Sequence, residues 1–294
     1  MDIQSFLIGL QAGQKAGSGD SGGSSGGGTL PAGLYVEALD ILPARAGAYG
    51  QAWYEWNGTL YAFVNQTTGN SGINLVYKWT DSAWTQVHEA SSNTNITGGT
   101  NTRFIEFNGK LHIFGNETTY HAVFDGSTLT RCVNMPLGFS HLFKNNGTIM
   151  GMYYNGRTYS WDESSDTWTE LGTTSGVNSL MKVYEVNGIV YGVKSTALYT
   201  YNDLTMTQVA TGSFDTDWRV VGNCVYVITK SNSYLYTLSE FDLSTYQTIT
   251  IGRLPNMYYA RLLEYNGELT LLHNCGAYTG QEAWLGRLHI MQSE

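Results

Sequence analysis

The chain is poor in charged residues, and those it has are mostly acidic. Asp, Glu, Lys and Arg make up 13% of its 294 residues, and the formal net charge is −9. Nucleic acids and anionic membranes attract basic surfaces, so this balance argues against either as the main partner. No apolar run is long enough to span a membrane.

Cysteine and histidine are also sparse and scattered. The three cysteines are odd in number and form no CxxC motif or Cys/His cluster, so neither a disulfide framework nor a zinc site is predicted. We expect them to be small buried hydrophobic residues. No two histidines form a close pair along the chain, and no copper site is predicted either. The sequence therefore predicts no metal and no cofactor. The residues concerned are Cys132, Cys224, Cys275, His88, His112, His121, His141, His273 and His289.

What the chain does contain is tyrosine, tryptophan and a repeated turn. There are 21 tyrosines and 8 tryptophans, a composition typical of a β protein. Asn-Gly pairs, which favour type I′ hairpins, occur at Asn57, Asn108, Asn146, Asn187 and Asn266, with the order swapped at Gly222. Their mean spacing is about 42 residues, a period that predicts the blades of a β-propeller.

Each repeat reads as four short strands, and the sixth lacks its fourth strand. Residues 35–42 can supply it, which closes the ring and protects the last sheet edge. We therefore predict an all-β, six-bladed propeller over residues 30–294. Before it come a helix-prone segment at residues 1–17, with Ile3, Leu7 and Leu10 on one stripe, and a Gly/Ser linker at residues 18–29.

Residues 34–294 resemble the kelch family of β-propellers. The resemblance rests on Leu42, Pro43 and Arg45, on the NGxLY hairpin, and on VYKWTDSAWTQV, in which six residues separate Tyr77 from Trp84. The paired glycines that the family carries after the second strand are missing here. Residues 1–29 resemble the start of phage and prophage structural proteins, an apolar head followed by a glycine-rich linker.

These resemblances imply a non-enzymatic appendage of a phage or phage-like particle. Residues 1–17 would dock on a structural protein of the particle, and the propeller would bind a host-surface glycan or protein. The N-terminus has Asp2 where a signal peptide carries positive charge, which fits assembly in the bacterial cytoplasm and display on the virion surface. The alternatives are a carbohydrate-active enzyme on a propeller scaffold and a bacterial protein-interaction propeller.

The longest loops indicate where binding would occur. They span residues 65–72, 90–103 and 274–283, and ring closure would bring them to one sector of one face. The predicted binding residues, suited to a neutral sugar, are Asn65, Asn70, Asn95, Arg103, Tyr278 and Gln281. Aromatic residues expected in loops, where they could stack on sugar rings, are Tyr49, Phe139, Phe214, Trp218, Tyr258, Tyr259 and Tyr278. A last pattern, which leaves a cation site open, places acidic residues two positions before the turn asparagine: Glu55, Glu106, Glu185 and Glu264.

Overall fold

The computed structural model describes fourteen stretches of the chain. They are residues 33–41, 51–65, 74–80, 83–90, 102–115, 119–177, 182–212, 214, 218–221, 224–230, 236–254, 261–265, 268–273 and 284–291. All the regular structure in these stretches is β-strand, and nothing in them forms a helix capable of crossing a membrane. The head at residues 1–17 and the linker at residues 18–29 lie outside the described residues, so their predicted roles stay predictions.

Five blades are each built from four consecutive antiparallel strands, and in each the sheet order follows the chain. Blade 1 contains β2 (Gln51–Trp56), β3 (Thr59–Asn65), β4 (Asn74–Trp79) and β5 (Trp84–Ala90). Blade 2 contains β6 (Arg103–Phe107), β7 (Lys110–Phe114), β8 (His121–Phe124) and β9 (Leu129–Arg131). Blade 3 contains β10 (His141–Asn145), β11 (Thr148–Met152), β12 (Arg157–Asp162) and β13 (Thr167–Thr173). Blade 4 contains β14 (Lys182–Val186), β15 (Ile189–Lys194), β16 (Ala197–Asn202) and β17 (Thr205–Thr211). Blade 5 contains β18 (Trp218–Val221), β19 (Cys224–Lys230), β20 (Tyr236–Asp242) and β21 (Gln247–Leu254).

The remaining four-stranded sheet takes strands from both ends of the described chain. Its order is β1-β24-β23-β22, and the predicted outer strand β1 pairs antiparallel with β24. The first strand of this closing sheet, β22, lies beside both β18 and β2 and so connects blade 5 to blade 1. Its strands are β1 (Gly33–Ile41), β22 (Arg261–Tyr265), β23 (Glu268–His273) and β24 (Trp284–Met291).

The repeated turn has the geometry that the sequence predicts. Asn57, Asn108, Asn146 and Asn187 all have φ between 48° and 52°, and the glycine after each is also positive. Positive φ at both central positions defines the type I′ turn, whose twist matches that of the strands it joins. Each turn therefore sends the second strand back along the first.

The blades are held together by apolar residues from facing sheets. Within the described residues, hydrophobic clusters join blades 1 and 2, blades 2 and 3, blades 3 and 4, and blades 4 and 5. Because second strands are covered on both faces, they are apolar on both faces: Ile113 packs toward blade 1 and the next residue, Phe114, toward blade 3.

The prediction of an all-β propeller is confirmed. The expected count of six differs from the five blades that consecutive strands build, because the chain supplies only three strands after β21. The sheet they enter is completed by a strand from the other end of the sequence.

Candidate functional site

The predicted binding sector lies largely outside the described residues. Asn70, Asn95, Tyr278 and Gln281 fall there, so the sector as a whole stays a prediction. Asn65 ends β3, where its backbone pairs with Asn74. Arg103 begins β6, where its cation helps to depress the pKa of His141 on the neighbouring blade.

Three of the expected loop aromatics are core residues instead. Phe139 packs in the cluster between blades 2 and 3, and Phe214 and Trp218 pack in the cluster between blades 4 and 5. Each is at most 7% exposed. Phe139 and Phe214 do lie in connections and Trp218 begins β18, as the prediction placed them in or beside connections, but the neighbouring blade covers all three. Tyr49, Tyr258, Tyr259 and Tyr278 lie outside the described residues.

A different pair of tyrosines is presented at the surface. Tyr153 and Tyr154 occupy the connection between β11 and β12, with ring centroids 4.2 Å apart. The Gly156 N–H donates to the Tyr153 carbonyl at 2.8 Å, and Gly156 has a φ of 90°. A Cβ at Gly156 would lie 2.5 Å from the Thr174 carbonyl oxygen, so the turn needs glycine there. This fixed turn leaves Tyr154 52% exposed.

Blade 2 places a third tyrosine at the same end of the ring. Tyr120 precedes β8 in the equivalent connection, and the Arg131 guanidinium lies 4.6 Å from its ring centroid. At the start of β12, Arg157 makes a paired ion contact with Glu170, one bond of which joins Nε to Oε1 at 3.1 Å. The arginines of this tyrosine face, defined by Tyr120, Tyr153 and Tyr154, are thus engaged with a ring and a carboxylate. The face combines aromatic rings with local charge neutrality.

Several carboxylates in the described part are fixed in structural roles. The Asp125, Asp162 and Asp242 side chains accept hydrogen bonds within the turns between third and fourth strands, which lowers their pKa values. The pKa values of Glu163 and Glu170 are lowered by hydrogen bonds from Asn108 and Arg157 respectively. These five lowered pKa values favour the ionised carboxylate, whereas a general acid needs a raised pKa to hold its proton at neutral pH.

The predicted acidic series is divided among local partners. Glu106 accepts a hydrogen bond from the Tyr54 hydroxyl at 3.1 Å. Glu185 accepts one from the Gly188 N–H and lies 3.8 Å from the Lys144 ammonium. The side chain of Glu264 lies outside the described residues. Glu106 and Glu185 are thus engaged by neighbouring groups, and a cation site for the whole series stays a prediction.

The main unpredicted feature is a pair of buried histidines between blades 2 and 3. His112 and His121 are both 0% exposed, and His112 Nδ1 lies 2.9 Å from His121 Nε2. Trp161 of blade 3 packs edge-on against both rings, at centroid distances of 4.8 and 5.0 Å. The other ring nitrogens, His112 Nε2 and His121 Nδ1, are buried and have no hydrogen-bond partner.

Two further polar side chains join this pair. His121, Cys132 and Asp166 each place a ligand atom within 4.8 Å of the other two. Asp166 lies in the turn between β12 and β13, where Oδ1 accepts from Trp161 Nε1 at 3.1 Å and Oδ2 accepts from the Val133 N–H at 2.8 Å. The backbone of Asp166 has a φ of 48°, so its position is set by both the turn and these two donors.

Burial keeps His112, His121 and the Cys132 thiol in their neutral forms. Desolvation is the main cause that lowers the pKa of His112 to about 4 and of His121 to about 3. Desolvation, followed by the Asp166 carboxylate, raises the pKa of the Cys132 thiol to about 11. Two neutral imidazoles and a thiol therefore meet here near neutral pH, beside the Asp166 side chain.

The sequence carries a signal for this cluster that motif spacing does not reveal. When the repeats are aligned on their strand pairing, His112 takes the position of Tyr61, Met150, Tyr191 and Tyr226. His121 takes the position of Val76, Thr158, Leu198 and Leu238. Blade 2 is the described blade with histidine at both positions.

Comparison with known proteins supports the fold and goes no further. No protein family matches the sequence, and no curated protein does. A structural-genomics protein of unknown function from Bacteroides thetaiotaomicron has a TM-score of 0.56 at 12% identity, covering 86% of this chain and 73% of that one. A Bacteroides fragilis protein that is named as an exported protein has a TM-score of 0.54 at 10% identity, covering 88% and 95%. The chain is thus a β-propeller whose structural neighbours include a protein of unknown function.

Proposed function

We propose that this chain is a non-enzymatic binding protein that displays a propeller on a phage or phage-like particle. The closing sheet would act as a sixth blade, giving a kelch-like ring of six. Residues 1–17 would dock on a particle protein, and the linker at residues 18–29 would hold the propeller away from it. Its ligand would be a neutral glycan of a host surface.

The tyrosine face is the observation that carries the binding role. Tyrosine combines a broad apolar ring with a hydroxyl and has few rotatable bonds, so a fixed tyrosine binds with little loss of conformational entropy. The Gly156 turn fixes Tyr153 and Tyr154 before any ligand arrives. Aromatic rings with neutralised arginines suit a sugar, which offers apolar C–H faces and uncharged hydroxyls.

The lowered pKa values of Asp125, Asp162, Glu163, Glu170 and Asp242 favour binding over hydrolysis at these positions. A glycosidase needs two carboxyl groups facing the scissile bond, and one of them must hold a proton at working pH. Asp162 and Asp242 accept hydrogen bonds from turn serines, which stabilise the ionised carboxylate. The enzyme alternative has no such supporting observation among the described residues.

The binding proposal is tested with the purified full chain on an array of neutral oligosaccharides from bacterial cell envelopes. We expect saturable binding to at least one of them, weakened about tenfold or more by Tyr153→Ala/Tyr154→Ala, because each stacked ring contributes ~0.5–1.5 kcal/mol. The matched control is Ile189→Ala, which removes a side chain 48% exposed beside the Asn187–Gly188 turn, at the opposite end of the ring. No binding across the array, or equal loss in both variants, would refute the tyrosine face.

The particle role has its own test. Particles carrying the protein should lose it when residues 1–17 are deleted, while the deleted chain keeps the circular dichroism spectrum and melting temperature of the full chain. Normal occupancy of the deleted chain on particles would remove the docking role. That outcome would not bear on glycan binding by the tyrosine face, which the oligosaccharide array tests separately.

A further inference from the structure

We propose that His121, Cys132 and Asp166 form a binding site for a divalent transition-metal ion of the zinc type, seated between blades 2 and 3. The geometry of these three groups carries the proposal, and it is independent of what the tyrosine face binds.

The donor set matches this class of ion. An imidazole nitrogen, a thiolate sulfur and a carboxylate oxygen are the ligands that Zn²⁺ takes in proteins, with bond lengths of about 2.0–2.3 Å. In a tetrahedral site such bonds put the ligand atoms about 3.5 Å apart. The three atoms here lie within 4.8 Å, so side-chain rotations of about 1 Å would close them on an ion. The fourth position would be free for water.

The ring nitrogens of the histidine pair provide an independent observation. In the tautomer in which His121 Nε2–H donates to His112 Nδ1, the Nδ1 atom of His121 carries a lone pair. That atom is buried and has no partner in the protein. Histidines that bind metals commonly donate their other N–H to a neighbouring acceptor, which fixes the ring and its tautomer. His112 would supply that acceptor.

The Asp166 carboxylate is also held in place by hydrogen bonds. Trp161 Nε1 and the Val133 N–H each occupy one lone pair of the carboxylate. Each oxygen keeps a further lone pair, so the aspartate can bind an ion without breaking either hydrogen bond. These two donors would orient Asp166 as outer-shell partners do in known metal sites.

Charge balance favours occupation by a divalent cation. A thiolate and a carboxylate together carry two negative charges, which a divalent ion neutralises in this partly buried site. Without the ion, the thiol retains its proton. Binding would therefore release that proton and convert Cys132 to a thiolate ligand.

The same four positions carry no histidine, cysteine or acidic residue at the junction of blades 4 and 5. In place of His112 and His121 this junction has Tyr191 and Leu198. In place of Cys132 it has the bulge at Val209 and Ala210, and in place of Asp166 it has Tyr246. Tyr246 has a φ of 56°, in a turn of the same length as that of Asp166. The propeller can thus close this junction with aliphatic and tyrosine side chains, so its folding does not require a His, Cys and Asp cluster there.

The test uses Co²⁺ as a probe, because cobalt bound to a thiolate absorbs in the near ultraviolet. The full chain, reduced and freed of metal, should bind one Co²⁺ with a charge-transfer band, and one equivalent of Zn²⁺ should abolish the band. Loss of a ligand in Cys132→Ala or Asp166→Asn should weaken binding more than about a hundredfold, since outer-shell changes alone cost 10–100-fold.

Two control variants separate this site from adventitious binding. Cys224→Ala removes another described cysteine, in β19, and Asp203→Asn changes an aspartate with a φ of 43° in the equivalent turn of blade 4. Both should bind Co²⁺ as the unmodified chain does. Absence of a stoichiometric charge-transfer band, or its survival in a folded Cys132→Ala variant, would overturn the proposal. Near-ultraviolet circular dichroism without metal checks that each variant is folded.

Discussion

Two junctions of the propeller solve the same packing problem with opposite chemistry. Between blades 4 and 5, Trp218 stacks on Tyr184 at 5.6 Å and packs against Phe241 at 4.9 Å. Between blades 2 and 3, Trp161 instead packs against the buried pair His112 and His121. Because Trp161 and Phe241 occupy equivalent places in their third strands, the two junctions can be compared residue by residue.

The difference teaches which residues the fold itself requires. A blade junction must fill its space and satisfy its buried polar groups. The junction of blades 4 and 5 fills its space with aliphatic side chains and aromatic rings, although the Trp218 Nε1–H is buried there without a hydrogen-bond partner. The junction of blades 2 and 3 buries imidazole nitrogens that lack partners, which is unfavourable for folding. Residues that oppose folding at one copy of a repeated junction are candidates for another role.

The largest effect is expected from truncating the apolar junction. Trp218→Ala should lower the free energy of unfolding by about 3–5 kcal/mol, because it removes a buried ring and leaves a cavity. Denaturant unfolding, with Zn²⁺ and separately with chelator, measures it. The loss should be the same in both, since this junction is proposed to hold no ion. A loss under ~1 kcal/mol would mean that the junction contributes little to stability.

The fold could be predicted from the sequence because its signals are repeated. The Asn-Gly turns at Asn57, Asn108, Asn146 and Asn187 fix the hairpins locally, through backbone conformations that few other residues tolerate. The closing strand β1 could be found because the last repeat lacks a strand and the chain holds one spare. Both inferences use spacing along the chain, which a repeat protein preserves.

The buried cluster could not be found from motif spacing. His121 and Cys132 are eleven positions apart, and Asp166 comes from the next blade. Their meeting depends on how neighbouring blades pack, which no local pattern encodes. The misplaced aromatics have the same cause. Phe139, Phe214 and Trp218 adjoin first strands, and only the neighbouring blade decides that they are buried. The repeat alignment is the signal that was available, through two histidines at otherwise non-histidine positions.

The second effect is a pH dependence at the inner edge of the polar junction. His141 begins β10 and is 6% exposed, and desolvation, aided by the Arg103 charge, lowers its pKa from 6.5 to about 4. Between pH 4 and pH 6.5, His141 is therefore protonated in the unfolded chain and neutral in the folded chain. Stability from this group is complete above pH 6.5 and falls as the pH drops from 6.5 to 4, by up to roughly 3 kcal/mol.

His141→Leu should remove this share of the acid sensitivity. The free energy of unfolding is measured with chelator at pH 7 and pH 4.5 for both chains. The loss between these two pH values should be smaller in the variant than in the unmodified chain. The carboxylates with lowered pKa values contribute mainly at lower pH, as their own protonation begins. Equal acid sensitivity in the two folded chains would contradict the assignment to His141.

The smallest effect on stability is expected when the junction of blades 2 and 3 is given the residues of the junction of blades 4 and 5. This substitution also tests the comparison most directly. His112→Tyr/His121→Leu gives blade 2 the residues that blade 4 carries at Tyr191 and Leu198. In chelator, the variant should be as stable as the unmodified chain or more stable by about 1–2 kcal/mol, because it removes buried nitrogens without partners. Thermal unfolding measures the change.

Zinc should then reverse the order of the two chains. An ion that binds only the folded state stabilises the unmodified chain in proportion to the logarithm of its concentration above the dissociation constant. The variant lacks the His121 ligand and should gain nothing. If the variant is instead less stable in chelator by more than ~2 kcal/mol while remaining folded, the histidine pair is part of the structural core. The two junctions would then differ in how they pack, with no separate role for the histidines.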